Sequence, residues 1–217
     1  MQRHEEKYLI DYCQYALLKS RALAALTPDV HGSSYVVTSL YYDDLMNTAL
    51  LEKQDGLARH TKFRLRTYDG NGALIKLERK VKQGTVTEKQ TATVSQEQIP
   101  LLGRETDSFS DEAKALAAQM AAGNLRPAIT VRYRRDAFYY PGTDLRLTFD
   151  TDLRVLPATA DSLWDLSNGG IPVLDFNTVI MEIKYGSFVP SFIRSLTAVP
   201  GKELSVSKYA LCREKMM

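Results

Sequence analysis

Polar and hydrophobic side chains alternate with a period of two over several segments of the chain. In the segment KFRLRTYD, Lys62, Arg64 and Arg66 fall on one side of the alternation, and Phe63 and Leu65 fall on the other. Because successive side chains of a β-strand point to opposite faces of the sheet, the pattern predicts strands with one apolar and one charged face. The same alternation places further sets of polar side chains on one face of their own strand: Arg3, Glu5 and Lys7; Lys76, Glu78, Lys80 and Lys82; Arg132 and Arg134; Arg146, Thr148 and Asp150; Glu182 and Lys184.

Helix signals interrupt the predicted strands. The apolar-periodic stretch DYCQYALLKSRALAAL predicts a first helix, with Asp11 as its N-cap and Pro28 just beyond its end. Another helix is predicted to start at Ser110 and to end before Gly123. These elements together predict an α+β fold with seven or eight mostly antiparallel strands, a number at which a small barrel can close.

Length and composition favour a single domain, residues 1–217, because 217 residues with 44% hydrophobic content can form one sizeable core. The sequence has no apolar run long enough to span a membrane, and its charged N-terminus lacks the apolar stretch of a signal peptide. We therefore expect a cytoplasmic location. Cys13 and Cys212 lie far apart, which indicates neither a zinc site nor a disulfide framework.

The distribution of charge indicates a partner more clearly than the net charge does. A net charge of +2 argues against a protein that binds nucleic acid through a uniformly basic surface. A solvated strand face accounts for any one charged strand taken alone, but Arg and Lys recur on most of the strands. Like charges on adjacent strands repel unless an anion or water lies between them. The pattern therefore predicts a barrel lined with basic side chains that binds a polyanion.

Eight short stretches occur in the order and spacing of a known family: RHEEKY, SLYYD, KFRLRTY, IKLERK, RPAITVRYRR, LRLTFD, VIMEIKYG and SKY. Over residues 3 to 209 the chain resembles the catalytic domain of the vacuolar transporter chaperone (VTC), a polyphosphate polymerase. That domain belongs to the triphosphate tunnel metalloenzymes, which are related to the CYTH proteins. The resemblance implies an eight-stranded antiparallel β-barrel, the triphosphate tunnel, with helices packed on the outside and a C-terminal helix.

The resemblance, together with the strand alternation, also predicts the roles of individual residues. The expected catalytic residues are Arg64, Arg66, Lys80, Arg134, Arg146 and Glu182. The expected phosphate and nucleotide ligands are Lys7, Lys62, Arg64, Arg66, Lys80, Arg132, Arg134, Arg146, Lys184, Ser207 and Lys208. Glu182 is expected to bind Mn²⁺ or Mg²⁺. Glu78 and Glu5 are either further metal ligands or structural counter-ions of neighbouring lysines.

The sequence is compatible with three functions. The leading one is an ATP-dependent polyphosphate polymerase, and the others are a tunnel triphosphatase and a module that binds polyphosphate or nucleotide without turnover. The related triphosphatases begin with Glu-x-Glu-x-Lys, whereas this chain has Arg3, Glu5 and Lys7, and fewer carboxylates favour transfer over the activation of water. The expected partners are ATP and polyphosphate or tripolyphosphate, with no nucleic acid and with a membrane-protein partner in trans.

Several other residues are expected to have no part in the chemistry. Asp43 and Asp150 are expected to cap or turn the chain at strand ends. The unclustered His4, His31 and His60 are assigned no chemistry, and Tyr41, Tyr133 and Tyr139 are expected to pack outward under helices.

Overall fold

The computed structural model describes residues 4–31, 34–84, 86–103, 107–167, 169–186, 189–198, 202–203 and 207–217. Arg3, the position that distinguishes the chain from the triphosphatases, lies outside these ranges. The strands are β1 (His4–Asp11), β2 (Thr27–Pro28), β3 (Tyr35–Asp43), β4 (Arg59–Tyr68), β5 (Ile75–Gln83), β6 (Val86–Val94), β7 (Arg126–Tyr139), β8 (Arg146–Leu156), β9 (Ile171–Pro172), β10 (Thr178–Tyr185) and β11 (Lys202–Glu203). The α-helices are α1 (Tyr12–Ala25), α2 (Thr48–Gln54), α3 (Asp111–Ala122), α4 (Ser191–Thr197) and α5 (Lys208–Met216).

The chain divides into two compact units. The first unit contains Met1–Tyr35, Tyr133–Leu153 and Leu174–Val206, and the second contains Val36–Arg132, Arg154–Val173 and Ser207–Met217. Strands β7 and β8 contribute residues to both units. The expectation that residues 1–217 form one domain stays a prediction.

The sheet of the first unit has the hydrogen-bonded strand order β11-β1-β10-β8-β7, and β2 pairs with β7. Pairing of β1 with β10 and of β10 with β8 is antiparallel. One face of this sheet packs against α1 and α4, so the apolar members of the alternation face helices as predicted. The buried side chains of this core include Leu18, Ala22, Leu147, Phe149, Met181, Ile183 and Ile193.

The sheet of the second unit has the order β7-β3-β4-β5-β6, and the pairs β3 with β4, β4 with β5, and β5 with β6 are antiparallel. One face of this sheet packs against α3. Its buried core includes Leu40, Phe63, Leu65, Ile75, Leu77, Ala113, Leu116, Ala117 and Met120. Phe63 and Leu65 are thus on the apolar face, as the alternation predicts, and Lys62, Arg64 and Arg66 are on the other.

Local sequence signals explain where the helices start. The Asp11 carboxylate accepts a hydrogen bond from the Gln14 backbone N–H at 2.8 Å, and the Gln14 side chain accepts one from the Asp11 N–H at 2.9 Å. This reciprocal capping box begins α1. The Ser110 hydroxyl accepts from the Ala113 N–H at 3.3 Å and begins α3, so both predicted N-caps are confirmed. No helix within the described ranges is both long and apolar enough to cross a membrane.

The tight turn between β4 and β5 depends on residues that tolerate positive φ. Asp69 has φ of 50° and Gly70 has φ of 67°. A Cβ atom at Gly70 would lie 2.9 Å from the Trp164 carbonyl oxygen, so only glycine fits there without displacement. This turn fixes the register of the hairpin that carries most of the charged side chains of the second unit.

Candidate functional site

The sheet face of the second unit that is turned away from α3 carries aligned rows of polar side chains, which we call the basic face. Because cross-strand partners on one face are neighbours, each row is a set of side chains in contact range. The rows are Ser39, Arg66, Lys76 and Thr93; Tyr41, Arg64, Glu78 and Thr91; and Lys62, Lys80 and Lys89.

Glu78 is the carboxylate at the centre of the basic face, and its side chain is 1% exposed. It accepts a hydrogen bond from Arg64 Nε at 2.6 Å and forms an ion pair with Lys89. Burial opposes ionisation of Glu78, but the charges of Arg64 and Arg66 and the contact with Lys89 outweigh burial and lower its pKa to about 2. These contacts favour the counter-ion role for Glu78 over that of a metal ligand.

The expectation that Tyr41 packs under a helix is met by α5, because the ring centres of Tyr41 and Tyr209 are 5.0 Å apart. Tyr41 nevertheless lies on the basic face, the side of the sheet turned away from α3. Its hydroxyl accepts a hydrogen bond from Arg64 at 3.0 Å, and the Arg64 guanidinium lies 5.8 Å from the centre of its ring. Burial raises the pKa of Tyr41, but the charges of Arg64 and Arg66 overcome this and leave it lowered. The sequence offered a signal for this position, because alternation along β3 puts Tyr41 on the same side as Ser39 and opposite the apolar Leu40.

Helix α5 places the C-terminal motif residues beside the basic face. Ser207 caps α5 by accepting from the Ala210 N–H at 3.2 Å, and its hydroxyl also accepts from Lys62 Nζ at 2.9 Å. The next residue, Lys208, is half-buried at the start of the helix. The Tyr209 hydroxyl donates to Asp43 at 2.5 Å, and Asp43 also accepts from the Ala49 N–H at the start of α2. The expected capping role of Asp43 is therefore confirmed.

The first unit has a second charged sheet face, turned away from α1, which we call the mixed face. Its register aligns Glu5 with Lys184 and Arg146, and aligns Lys7 with Glu182 and Thr148. Lys7 forms an ion pair with Glu5. Most of the side chains that the sequence analysis assigned to the charged faces of β1, β8 and β10 therefore lie side by side here.

Glu182 is 4% exposed and sits among cations of the mixed face. Lys184 Nζ lies 2.8 Å from one carboxylate oxygen of Glu182, and Arg135 lies 3.8 Å from the other. Arg135 also donates two hydrogen bonds to Asp150, at 2.6 and 2.7 Å. Burial opposes the charge on Arg135, but Asp150 outweighs burial and raises the arginine pKa well above its usual value. Asp150 is thus the acceptor of a paired arginine in the middle of β8, and the expected role as a turn or cap residue is wrong.

The orientation expected for Arg132 and Arg134 is wrong. Arg132 is buried and donates to the Thr38 hydroxyl at 3.1 Å and to the carbonyls of Ser162 and Asp165 at 2.8 and 2.9 Å. Its neighbour two residues on, Arg134, is exposed.

The opposite face of β7 carries the side chains that meet the mixed face. Tyr133 and Arg135 share that face, and the Arg135 guanidinium lies 5.1 Å from the Tyr133 ring centre. Tyr133 therefore does not pack outward as expected, whereas Tyr139 is 36% exposed. Arg135 is the residue that sequence reasoning missed, because the run RYRR offers an arginine on either face.

Arg146 is held at the edge of the mixed face by two groups. Its guanidinium forms an ion pair with Asp29 and lies 3.3 Å from the Tyr35 hydroxyl. The Tyr35 hydroxyl itself donates to Asp29 at 3.1 Å. No motif in the sequence pointed to Asp29 or Tyr35.

The carboxylates of the mixed face fit a divalent cation that is shared with phosphate. Such a cation is commonly held by one or two protein carboxylates, while phosphate oxygens and water complete its shell. Lys184 Nζ lies 2.8 Å from Glu182 and 3.7 Å from Glu5, so one positive charge reaches both carboxylates. The buried Thr148 hydroxyl beside Glu182 has no hydrogen-bond partner. Across the described ranges, no three His, Cys, Asp or Glu side chains form a complete protein-only metal site.

The fold is thus antiparallel α+β and presents two charged sheet faces. The VTC domain model matches residues 2–217, and the chain belongs to the VTC domain family. A search of curated proteins finds no match.

Solved structures share the fold at low sequence identity. A putative adenylyl cyclase from Hippeastrum, described as having a dominant triphosphatase activity, matches with a TM-score of 0.60 and 16% identity over 99% of this chain and 96% of its own. A putative adenylate cyclase from Bacillus halodurans matches with a TM-score of 0.51 and 16% identity, over 91% of this chain and 87% of its own. A Pyrococcus horikoshii protein matches with a TM-score of 0.50 and 12% identity, over 98% and 97%. The expected antiparallel α+β fold class is therefore confirmed. The described residues form eleven strands rather than the expected eight, and hydrogen bonds do not close their order, from β11 to β6, into a barrel.

Proposed function

We propose that the chain is a metal-dependent polyphosphate polymerase that transfers the γ-phosphate of ATP to the end of a polyphosphate chain. The observation that carries the proposal is the basic face, on which three aligned rows of a VTC-family sheet present Lys and Arg around one buried carboxylate. Phosphoryl transfer passes through a loose transition state, so its catalysis depends on positioning and on neutralising charge. An ordered array of cations both positions the phosphate groups and neutralises their charge.

The basic face is the proposed binding surface for the phosphate chain. Arg64 is ordered by Glu78, and Arg66 by the Ser39 hydroxyl at 3.0 Å. Fixed guanidinium groups lose little conformational entropy when they bind phosphate in a bidentate manner. Lys62 and Lys80 flank the two arginines and add compact positive charges. We propose that Lys7, Arg146 and Lys184 of the mixed face also bind phosphate.

Glu182 and Glu5 would hold the metal ion. When bound there, the ion would supply positive charge that neutralises the charge developing in the transition state. Arg135 and Lys184 hold the Glu182 carboxylate in position, and a carboxylate is the ligand that a hard divalent cation prefers.

The pairing of the carboxylates supports transfer over hydrolysis. The acceptor oxygen at the end of a polyphosphate chain is already anionic and needs no general base, whereas water must be activated. Glu182 is engaged by Lys184 and Arg135, and Glu78 is engaged by Arg64 and Lys89. Neither carboxylate is arranged to take a proton from water.

A triphosphatase is the second candidate function. The Hippeastrum protein that shares the fold is described as having a dominant triphosphatase activity, and Glu5 and Glu182 could serve a metal-bound water as well as a metal-bound phosphate. The products distinguish the two candidates.

The test is to incubate the protein with ATP and Mn²⁺, or with Mg²⁺, and to resolve the products on a polyphosphate gel. The proposal expects chains that lengthen with time and an equivalent release of ADP. Release of free phosphate without chains would support the triphosphatase, and no nucleotide turnover with either metal would leave only a binding function. The Glu182→Gln variant, prepared in parallel, controls for contaminating kinases.

A further inference from the structure

A partly buried carboxylate, Asp29, pairs with Arg146, one of the proposed phosphate ligands. The Asp29 side chain is 14% exposed, whereas the Arg146 side chain is 42% exposed. Tyr35, which donates to Asp29 at 3.1 Å, is 2% exposed. Exposure therefore increases in the order Tyr35, Asp29, Arg146, so a ligand that arrives from solvent meets the guanidinium before it meets the carboxylate.

Asp29 is itself held firmly. Its backbone N–H donates to the Ala137 carbonyl at 2.9 Å, directly after the β2 residues that pair with β7. Its second carboxylate oxygen accepts from the Val30 N–H at 2.8 Å. Burial raises the pKa of Tyr35 to about 12, so its hydroxyl keeps the proton that it donates to Asp29. The carboxylate is thus fixed before any ligand binds.

Asp29 and Tyr35 both contact the same nitrogen of Arg146, Nη2. A guanidinium presents five N–H donors in a planar fork, and a carboxylate on one edge leaves the other edge for a second anion. An arginine fixed in this way loses less side-chain entropy on binding than a mobile one.

We propose that Asp29 is a positioning residue that fixes one edge of the Arg146 guanidinium, so that its other edge binds a phosphate group of the ligand. This inference deepens the proposed function and rests on it. Asp29 acts through Arg146 and does not touch the ligand. In the alternative, Asp29 merely competes with phosphate for Arg146. Removing the charge of Asp29 would then increase the affinity for phosphate instead of lowering it.

The test is a double-mutant cycle on the affinity for tripolyphosphate, measured by calorimetry without added metal so that metal binding does not contribute. The variants are Asp29→Asn, Arg146→Ala and the two combined. Asp107→Asn is the matched control, because it makes the same change of charge at an exposed position of the second unit. Thermal melts of each variant check the fold.

We expect Arg146→Ala to weaken binding about tenfold, the usual effect of losing one charge-assisted contact, and Asp29→Asn to weaken it about fivefold. The double variant should be within about twofold of Arg146→Ala alone, because Asp29 contributes only through Arg146. Asp107→Asn should leave the affinity within about twofold of the original protein.

Two results would overturn the inference. Tighter binding by Asp29→Asn would mean that Asp29 competes with the ligand, and additive losses in the double variant would mean that it supports the fold without orienting Arg146. If Asp29→Asn does not fold, the cycle is run with Tyr35→Phe, where a smaller coupling of the same sign is expected and additivity overturns the inference. Failure of the original protein to bind tripolyphosphate would contradict the proposed function itself.

Discussion

The two charged faces differ in their balance of acid and base. In its three described rows, the basic face of the second unit has one carboxylate, Glu78, among six cations: Lys62, Arg64, Arg66, Lys76, Lys80 and Lys89. Among the described residues, the mixed face of the first unit has four of each sign: Lys7, Arg135, Arg146 and Lys184 with Glu5, Asp150, Glu182 and, at its edge, Asp29. An excess of cations suits the binding of an extended anion, whereas paired charges suit the fixing of a metal and of individual side chains.

The largest effect is expected from removing the charge of Glu182. Glu182→Gln keeps shape and hydrogen bonding but removes the charge that a hard divalent cation requires, so metal-dependent ATP turnover should fall roughly a thousandfold. Tripolyphosphate binding should change little, because the basic face makes most of the contacts. Turnover and calorimetry on one preparation measure both. Normal metal dependence in this variant would contradict the division of labour between the faces.

The next effect concerns the adjacent arginines of β7. Arg135→Leu leaves Asp150 and Glu182 buried without their shared cation and should lower the free energy of unfolding by about 4 kcal/mol. Arg134→Leu, at the exposed neighbouring position, should change it by less than about 0.5 kcal/mol. Urea unfolding of the two variants makes the comparison. Equal losses would show that the arginine pairing does not stabilise the first unit.

The free energy of unfolding should depend on pH at low pH because of Glu78, the carboxylate in the rows of the basic face. The pKa of Glu78 is about 2, below its unfolded value, so its ionisation stabilises the fold above the unfolded pKa and this contribution is lost as the pH falls from about 4.5 towards 2. The full contribution is about 3 kcal/mol. Glu78→Gln should flatten the dependence of the melting temperature on pH in that window. An unchanged slope would show that Glu78 is not stabilised by its arginine neighbours.

Strand alternation predicted much of both faces because a period of two is a direct consequence of strand geometry. It placed Lys62, Arg64 and Arg66 opposite Phe63 and Leu65, as the structure has them. The alternation does not specify which side of a strand meets the helices when both sides carry charge. In β7 the arginine on the side of the mixed face is Arg135, whereas Arg132, on the opposite side, donates to loop carbonyls.

Contacts between residues far apart in sequence could not be predicted from the pattern. Asp29 and Arg146 are separated by 117 positions, and their pairing depends on how β2 joins β7. Likewise, Ser207 was expected from the resemblance alone, and its contact with Lys62 depends on the position of α5. The residues proposed to orient the phosphate-binding side chains come from such contacts, whereas most of the proposed phosphate-binding residues follow from the local pattern.

The most direct test of the central claim, that phosphate chains bind to the basic face, compares two neighbouring cations of β5. Lys80 lies on the basic face beside Lys62, whereas Arg79 lies on the opposite face and donates to Gln90 at 3.3 Å. Calorimetric titration with tripolyphosphate should give about a tenfold loss of affinity for Lys80→Ala and less than about a twofold loss for Arg79→Ala. Equal losses, or a larger loss for Arg79→Ala, would contradict the account.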